Sequence, residues 1–463
     1  MQEQTIETRW NKLARIVPTV VFCLIGAILI LLVWNGRFVF GSEPGGWTYR
    51  YFQEETSILF WVPIAAILLV GALVFGGVHF IQRHEKITLG IGFLTAIALE
   101  ILINSLYPVG VYDIINSTIA NSFYPVSLRY SASEFLHSFS DIVGNLPLHA
   151  RTNMPGKVLF FHLLGLFTHN PRLLAYLVIA VSTLGGLVTY AICSRLFHDR
   201  IISFYAFVLY CLVPSKLIFF PILNTVTPLI ILVCLYLLIL YIDEKRWISL
   251  VFLGVSLYAL VLFEPSPLAT GLIFVAVLMN GFGQKSLQPK DLIKIVLIPA
   301  AAFFALYGIL RLAFSFDLFS MFAYMLKDAA SFNVGAERGY WIWVLENSKE
   351  FLFGAGVPVV LIFLVCVAQF FIKRSPHEKG WLAWPMEKLM TASLLATYLV
   401  VLFLGINRGE TTRLWIYMAV FFQIPAAVYL GKKVRYPWVF FMVAATMAVQ
   451  AMVALQRVNF IIP

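Results

Sequence analysis

Apolar residues in this chain are gathered in long unbroken runs, separated by short clusters of charge, Pro, Gly and Asn. About 20 apolar residues are what an α-helix needs to cross a hydrocarbon core. Such runs fall near 16–35, 57–81, 88–107, 172–195, 201–220, 225–242, 247–263, 266–282, 292–312, 351–372, 388–405, 413–430 and 437–455. The pattern predicts an all-α polytopic membrane protein, one transmembrane domain over residues 1–463, built as a bundle of about 11–13 transmembrane helices. The run after Gly156, KVLFFHLLGLF, is too short to span and reads as a re-entrant or surface-lying helix. Two connections are long, 108–171 and 313–350, both aromatic-rich and neither low-complexity. Long ordered connections are where function concentrates.

Composition narrows this further. Hydrophobic residues make up 61% of the chain and charged residues only 12%, with a mean hydropathy of +0.88. A soluble domain is about a quarter charged. That excludes a soluble enzyme, a nucleic-acid binder and a disordered scaffold. The basic balance reports topology instead. With the N-terminus in the cytoplasm, the short inner loops hold Arg83, Lys86, Arg195, Arg200, Lys245, Arg246, Lys432, Lys433 and Arg435, and the whole net charge of +10 falls on that side. This predicts a multi-pass protein of the plasma (inner) membrane whose long loops are extracytoplasmic. The first apolar run has no A-x-A site and reads as an uncleaved helix. The five cysteines all fall in apolar runs without a CxxC pair and read as small buried hydrophobes.

Candidate chemistry lies on the outer side. The first long loop places Asp113 just past the third span, and later carries His149-Ala150-Arg151-Thr152-Asn153-Met154-Pro155-Gly156-Lys157 ahead of the short apolar helix. Between them Phe135, Leu136, Phe139, Ile142 and Val143 recur at helical spacing, which predicts a helix lying in the membrane interface. Asp113 is a candidate proton acceptor or an N-capping residue. Asp141 falls on the polar face of the interfacial helix. His149, Arg151 and Lys157 suit either a phosphate or lipid headgroups. His162, on the short apolar helix, reads as a hydrogen-bonded core residue.

A second cluster, Asn407-Arg408-Gly409-Glu410-Thr411-Thr412-Arg413, separates two strongly apolar runs. Charges at that depth are costly unless paired or functional. Arg408 and Arg413 fit a phosphate group; the alternative is an Arg–Glu pair capping two helices. Glu100 lies inside an apolar run, either functional or bonded to a neighbouring helix. Glu264 sits in a tight FEPSP turn, and Glu54 and Glu55 near the second span. Arg338 with Tyr340-Trp341-Ile342-Trp343 suits a sugar site or an interfacial aromatic belt. No outer loop carries DxD, no GxxxxGK[ST] or GxGxxG is present, and no Cys/His spacing fits zinc, so neither a metal nor a nucleotide cofactor is expected.

An acid in a first large outer loop, followed by HARTNMPGKVLFF, resembles the GT-C superfamily of multispanning glycosyltransferases, whose bacterial members carry an H-x-R-T-H-P-P-G-P form. Asn153 and Met154 stand where that form has His and Pro. The late Arg-Gly-Glu-x-x-Arg is similar to a loop of some GT-C-like proteins. The resemblance implies an inverting transferase of the cell envelope. Its donor is a polyprenyl-phosphate sugar and its acceptor a glycan, lipid or protein. Asp113 would be the catalytic base. Arg151, His149, Lys157, Arg408 and Arg413 would hold the donor phosphate, with Glu410, Thr152, Asp141, Glu100 and Arg338 around them. Two other classes remain open: a polymerase or ligase of lipid-linked oligosaccharides, and a transporter without chemistry.

Overall fold

The computed structural model describes residues 2–53, 60–372 and 380–462. Glu54 and Glu55 lie outside the described residues. Among those described, ten helices are long and apolar enough to cross a membrane, from Leu13–Trp34 through Pro437–Arg457. They coincide with ten of the apolar runs. Trp247–Phe263 is a shorter apolar helix of 17 residues.

The two remaining runs break. The run 413–430 divides into a turn of helix, Thr411–Leu414, and the helix Ile416–Tyr429, which continues into a π-helical turn, Leu430–Val434. The run 351–372 is not one straight span: Tyr340–Ala355 and Val357–Ile372 meet at 109°. The bend falls at Gly356, whose φ of 99° is open to glycine at little cost. Hydropathy has no direction, so a bent pair and a straight span look alike in sequence.

Packing sorts the helices by how apolar they are all round. Every residue of Ile416–Tyr429 is buried, as is Ile202 through Cys211 of Arg200–Cys211, and these two helices pack together at the centre. At the rim, Pro289–Phe314 buries only Asp291 and Pro299, leaving an apolar surface that lipid would cover.

Because the spans alternate in direction, the long connections all reach one face, here called the loop face. Contacts confirm their convergence: Trp343 Nε1 donates to Gly45 O at 3.2 Å, Asn347 Nδ2 to Asn407 O at 2.8 Å, and Tyr107 Oη to Ile461 O at 3.0 Å. Strand Arg50–Tyr51 pairs antiparallel with Val458–Asn459 at the same level. The first long connection folds into short helices. Among them, Ala132–Ile142 starts with a Ser131/Glu134 capping box and buries Phe135, Leu136 and Phe139, the stripe expected from its spacing. It is followed by Leu148–Arg151 and Gly156–Gly165.

Candidate functional site

Helix Gly156–Gly165 starts hard against the end of Trp247–Phe263. A Cβ on Gly156 would meet the Leu262 carbonyl oxygen at 2.4 Å and Phe263 Cα at 2.7 Å, so only glycine fits there. That approach seats Lys157 on Glu264. The ammonium lies 2.9 Å from Glu264 Oε2 and donates to Asn153 Oδ1 at 2.9 Å. The rings of Phe123 and Phe263 flank it at 5.5 and 5.8 Å. Glu264 also accepts from Thr227 Oγ1 at 2.7 Å, Ser266 Oγ at 3.0 Å and Asn224 Nδ2 at 3.2 Å. Burial lowers the proton affinity of Lys157, the Glu264 carboxylate opposes that, and the Arg413 charge adds to it.

The Arg413 charge is thus felt at Lys157, in the other segment singled out in sequence. The same is seen at His149, on the helical turn Leu148–Arg151. Burial pushes its imidazole down to about 3, helped by the positive charges of Arg413 and Lys157. His149 is therefore neutral at pH 7, a hydrogen-bonding group rather than a cation. Arg413 pairs with Glu410, and its buried Nε has no hydrogen-bond partner among the described residues. The Nε of Arg151 is likewise buried and unpartnered.

The Arg413 loop is held from helix Tyr340–Ala355. Asn347 bonds it twice, to Asn407 O and from the Gly409 amide at 3.0 Å. Three residues on, one turn later, Glu350 Oε2 accepts from Thr411 Oγ1 at 3.2 Å and the Thr412 amide at 3.3 Å. Arg408 donates to the Arg338 carbonyl at 2.7 Å, and Arg338 donates back to the Arg408 carbonyl. The Arg338 guanidinium lies 5.0–5.5 Å from the rings of Phe332, Trp343 and Trp47. These two arginines clasp the loop.

Among the described residues, the other candidates make no direct side-chain hydrogen bond or ion pair with His149, Lys157 or Arg413. Asp113 is exposed in the first turn of Val111–Asn116, with Gly110 at the cap position, and makes no side-chain hydrogen bond or ion pair among the described residues. Asp141 is exposed on its helix, as expected, with Ser140 Oγ at 3.4 Å. Thr152 donates to its own turn at Leu148 O. Glu100 is buried and paired with Lys216, and Thr183 Oγ1 lies 3.4 Å from the same oxygen. His162 has a buried Nε2 without a partner.

Lys216, Glu350 and Tyr49 were not singled out in sequence. Lys216 had a signal, a lone cation inside an apolar run. Glu350 had a weaker one, Asn347 and Glu350 three apart on one helix face. Tyr49 had none: its phenol is buried, without a hydrogen-bond partner among the described residues, and pushed well above its ordinary value by burial and then by the carboxylates of Glu410 and Glu350.

Two cavities, of about 180 and 320 Å³, open on the opposite face around Pro385, Glu387 and Lys432. None of the candidate residues lines them. The incompletely bonded buried nitrogens of Arg151 and Arg413 lie instead in the segments that form the loop face. No family model matches the chain, and no curated protein was found to be similar to it.

Proposed function

We propose that the protein is a membrane transferase that moves a sugar from a polyprenyl-phosphate donor to a hydroxyl acceptor at the loop face, which is the extracytoplasmic side. What supports this reading most is that the Arg413 charge is felt at both His149 and Lys157, as one phosphate site drawing on both segments would require.

Transfer of a glycosyl group needs a base for the acceptor hydroxyl and positive charge for the departing phosphate. The acceptor oxygen bonds to the anomeric carbon as the bond from that carbon to the phosphate oxygen breaks. The acceptor proton passes to the Asp113 carboxylate, which has no competing partner among the described residues. The phosphate leaves with the electron pair and is met by Arg413 and Arg151, with His149 as a neutral donor. Lys157 is committed to Glu264 and Asn153, and so orders the site instead of contacting phosphate. The prenyl chain stays in the lipid beside the bundle. This reading requires Asp113 and Arg413 to face the same bound sugar.

The test is transfer of labelled sugar from undecaprenyl-phosphate glucose and mannose in proteoliposomes. Asp113→Asn should lower transfer by about 10²–10⁴-fold, the usual contribution of a general base. Its melting temperature should not change, since the carboxylate bonds nothing. Full transfer by Asp113→Asn removes that residue from the role, and transfer by no neutral-sugar donor removes the reading.

A further inference from the structure

Lysines on the face opposite the loop face report, by themselves, only how the chain is threaded. Three of them border a cavity. Lys388, Lys432 and Lys433 line the smaller of the two cavities on that face, and Glu387 is the one acid among the described residues that line it. Three lysines against one glutamate leave this lining with a net positive charge. The cavity lies between the ends of three apolar helices, Val357–Ile372, Met386–Leu404 and Ile416–Tyr429. Helix ends are where hydrocarbon gives way to headgroups. Other basic residues of this face differ: Arg195 lies on Asp243 and Glu244, Arg200 on Glu85, and neither lines a cavity.

Local structure sets the lysines in place. Ile416–Tyr429 runs into the π-helical turn Leu430–Val434, which puts Lys432 and Lys433 side by side at a helix C-terminus, where backbone carbonyls favour cations. Lys433 donates to Gln369 Oε1 on Val357–Ile372, and its ammonium lies 5.5 Å from the Tyr429 ring. Lys432 Nζ is 3.1 Å from Glu387 Oε1 and 5.9 Å from the Phe197 ring. Lys432 and Glu387 also line the larger cavity, whose walls include the amides of Asn280 and Gln284. At about 320 Å³ that cavity reaches the lower end of small-molecule sites, about 300–1,000 Å³. Phe370 of the smaller cavity and Trp384 of the larger meet edge to face at 5.0 Å. The next two residues along that helix, Phe371 and Ile372, are 66% and 79% exposed, a surface for lipid to cover.

We infer that these joined cavities are a site for one anionic membrane phospholipid. Its phosphate sits on Lys388, Lys432 and Lys433, its headgroup hydroxyls reach toward Asn280 and Gln284, and its acyl chains leave past Phe370 over Phe371 and Ile372. Chemistry selects this ligand. Ammonium groups are point charges that suit a phosphate, and basic pockets between spans hold anionic headgroups. A choline headgroup would bring a cation against the lysines. A soluble phosphate would leave the apolar part of the cavity, Phe370, Pro425 and Val428, uncovered. The bound lipid bridges three helices at their ends. None of its residues belongs to the loop-face site, so the inference stands apart from the function proposed above.

Native mass spectrometry of the full chain in detergent tests this, with phosphatidylglycerol and phosphatidylcholine of the same acyl chains as probes. The wild type should retain at least one phosphatidylglycerol that phosphatidylcholine at equal concentration does not replace. Lys432→Gln combined with Lys433→Gln should weaken the retention of one such lipid about tenfold or more, the effect of losing charge-assisted contacts. Lys388→Gln alone should act in the same direction, and it carries the test if the double variant does not fold. Arg195→Gln combined with Arg200→Gln removes as much charge from the same face and should leave retention unchanged. Phosphatidylglycerol should also raise the melting temperature of the wild type more than that of the lysine variants, since a ligand of the folded state stabilises it. Excess glycerol 3-phosphate should not displace the lipid. Equal retention of phosphatidylcholine, displacement by glycerol 3-phosphate, unchanged retention in the lysine variants, or an equal loss in the arginine variant overturns the inference.

Discussion

Exposed ion pairs lie on both faces of the bundle, Arg311 with Asp317 on the loop face among them, but among the described residues the pairs buried at both ends, Lys157 with Glu264 and Lys216 with Glu100, lie toward the loop face. On the face with short connections, Arg195 reaches Asp243 and Glu244 at 2.9 and 2.7 Å, Arg200 reaches Glu85 at 3.0 Å, and Lys432 reaches Glu387 at 3.1 Å. Each of those side chains is 28% exposed or more. On the loop face, Lys157 and Glu264 are 2% and 9% exposed, and Glu350 is fully covered. Exposed pairs contribute about 0–1 kcal/mol each. A buried pair loses hydration that its attraction offsets only with good geometry, and an apolar pair of similar volume is often as stable. Folding alone therefore gives little reason to keep ions under the loop face. On the opposite face charge costs little, so its presence there says only which way the chain is threaded.

Breaking one partner of each kind separates the faces most sharply. Lys157→Ala should destabilise the protein by about 3–5 kcal/mol, because it strands Glu264 among buried groups. The melting temperature in detergent reads this loss. Replacing both Lys157 and Glu264 by Met should recover much of that stability without restoring transfer.

Acid should sharpen the same contrast at His149. Its folded value of about 3 lies below the ordinary 6.5. The unfolded chain then binds a proton that the folded one refuses, so stability is full above about pH 6.5 and falls as pH drops toward 3. The melting temperature of His149→Gln should fall less over that window than that of the wild type. Equal slopes would mean that the imidazole is not buried beside Arg413 and Lys157. The smallest effect is expected across the bundle: Arg195→Ala should cost less than about 1 kcal/mol, read by the same melt.

The bilayer is why so much of the fold was legible. Ten of the thirteen apolar runs became spanning helices because length and hydrophobicity decide a span without reference to any other segment. The helix 132–142 was legible because its stripe of Phe135, Leu136 and Phe139 is local. The bend at Gly356 was not, since composition carries no direction. At the site, the HARTNMPGK and NRGETTR segments could be found because charge is conspicuous among apolar runs. Their partners could not: Glu264 meets Lys157, and Glu350 meets Thr411 and Thr412, only through packing of distant helices. Tyr49 is one aromatic among many, and only its unbonded hydroxyl in the folded chain marks it. Asp113 was conspicuous in sequence and is exposed in the fold, so the role proposed for it rests on chemistry that a bound acceptor would complete.

The most direct test of a loop-face phosphate site is the affinity of the purified protein for undecaprenyl phosphate, compared between wild type, Arg413→Ala and Arg195→Ala by native mass spectrometry. Loss of a charge-assisted contact should weaken binding about tenfold or more in Arg413→Ala, while Arg195→Ala binds as the wild type does. Undiminished binding by Arg413→Ala, or an equal loss from Arg195→Ala on the opposite face, would contradict the account.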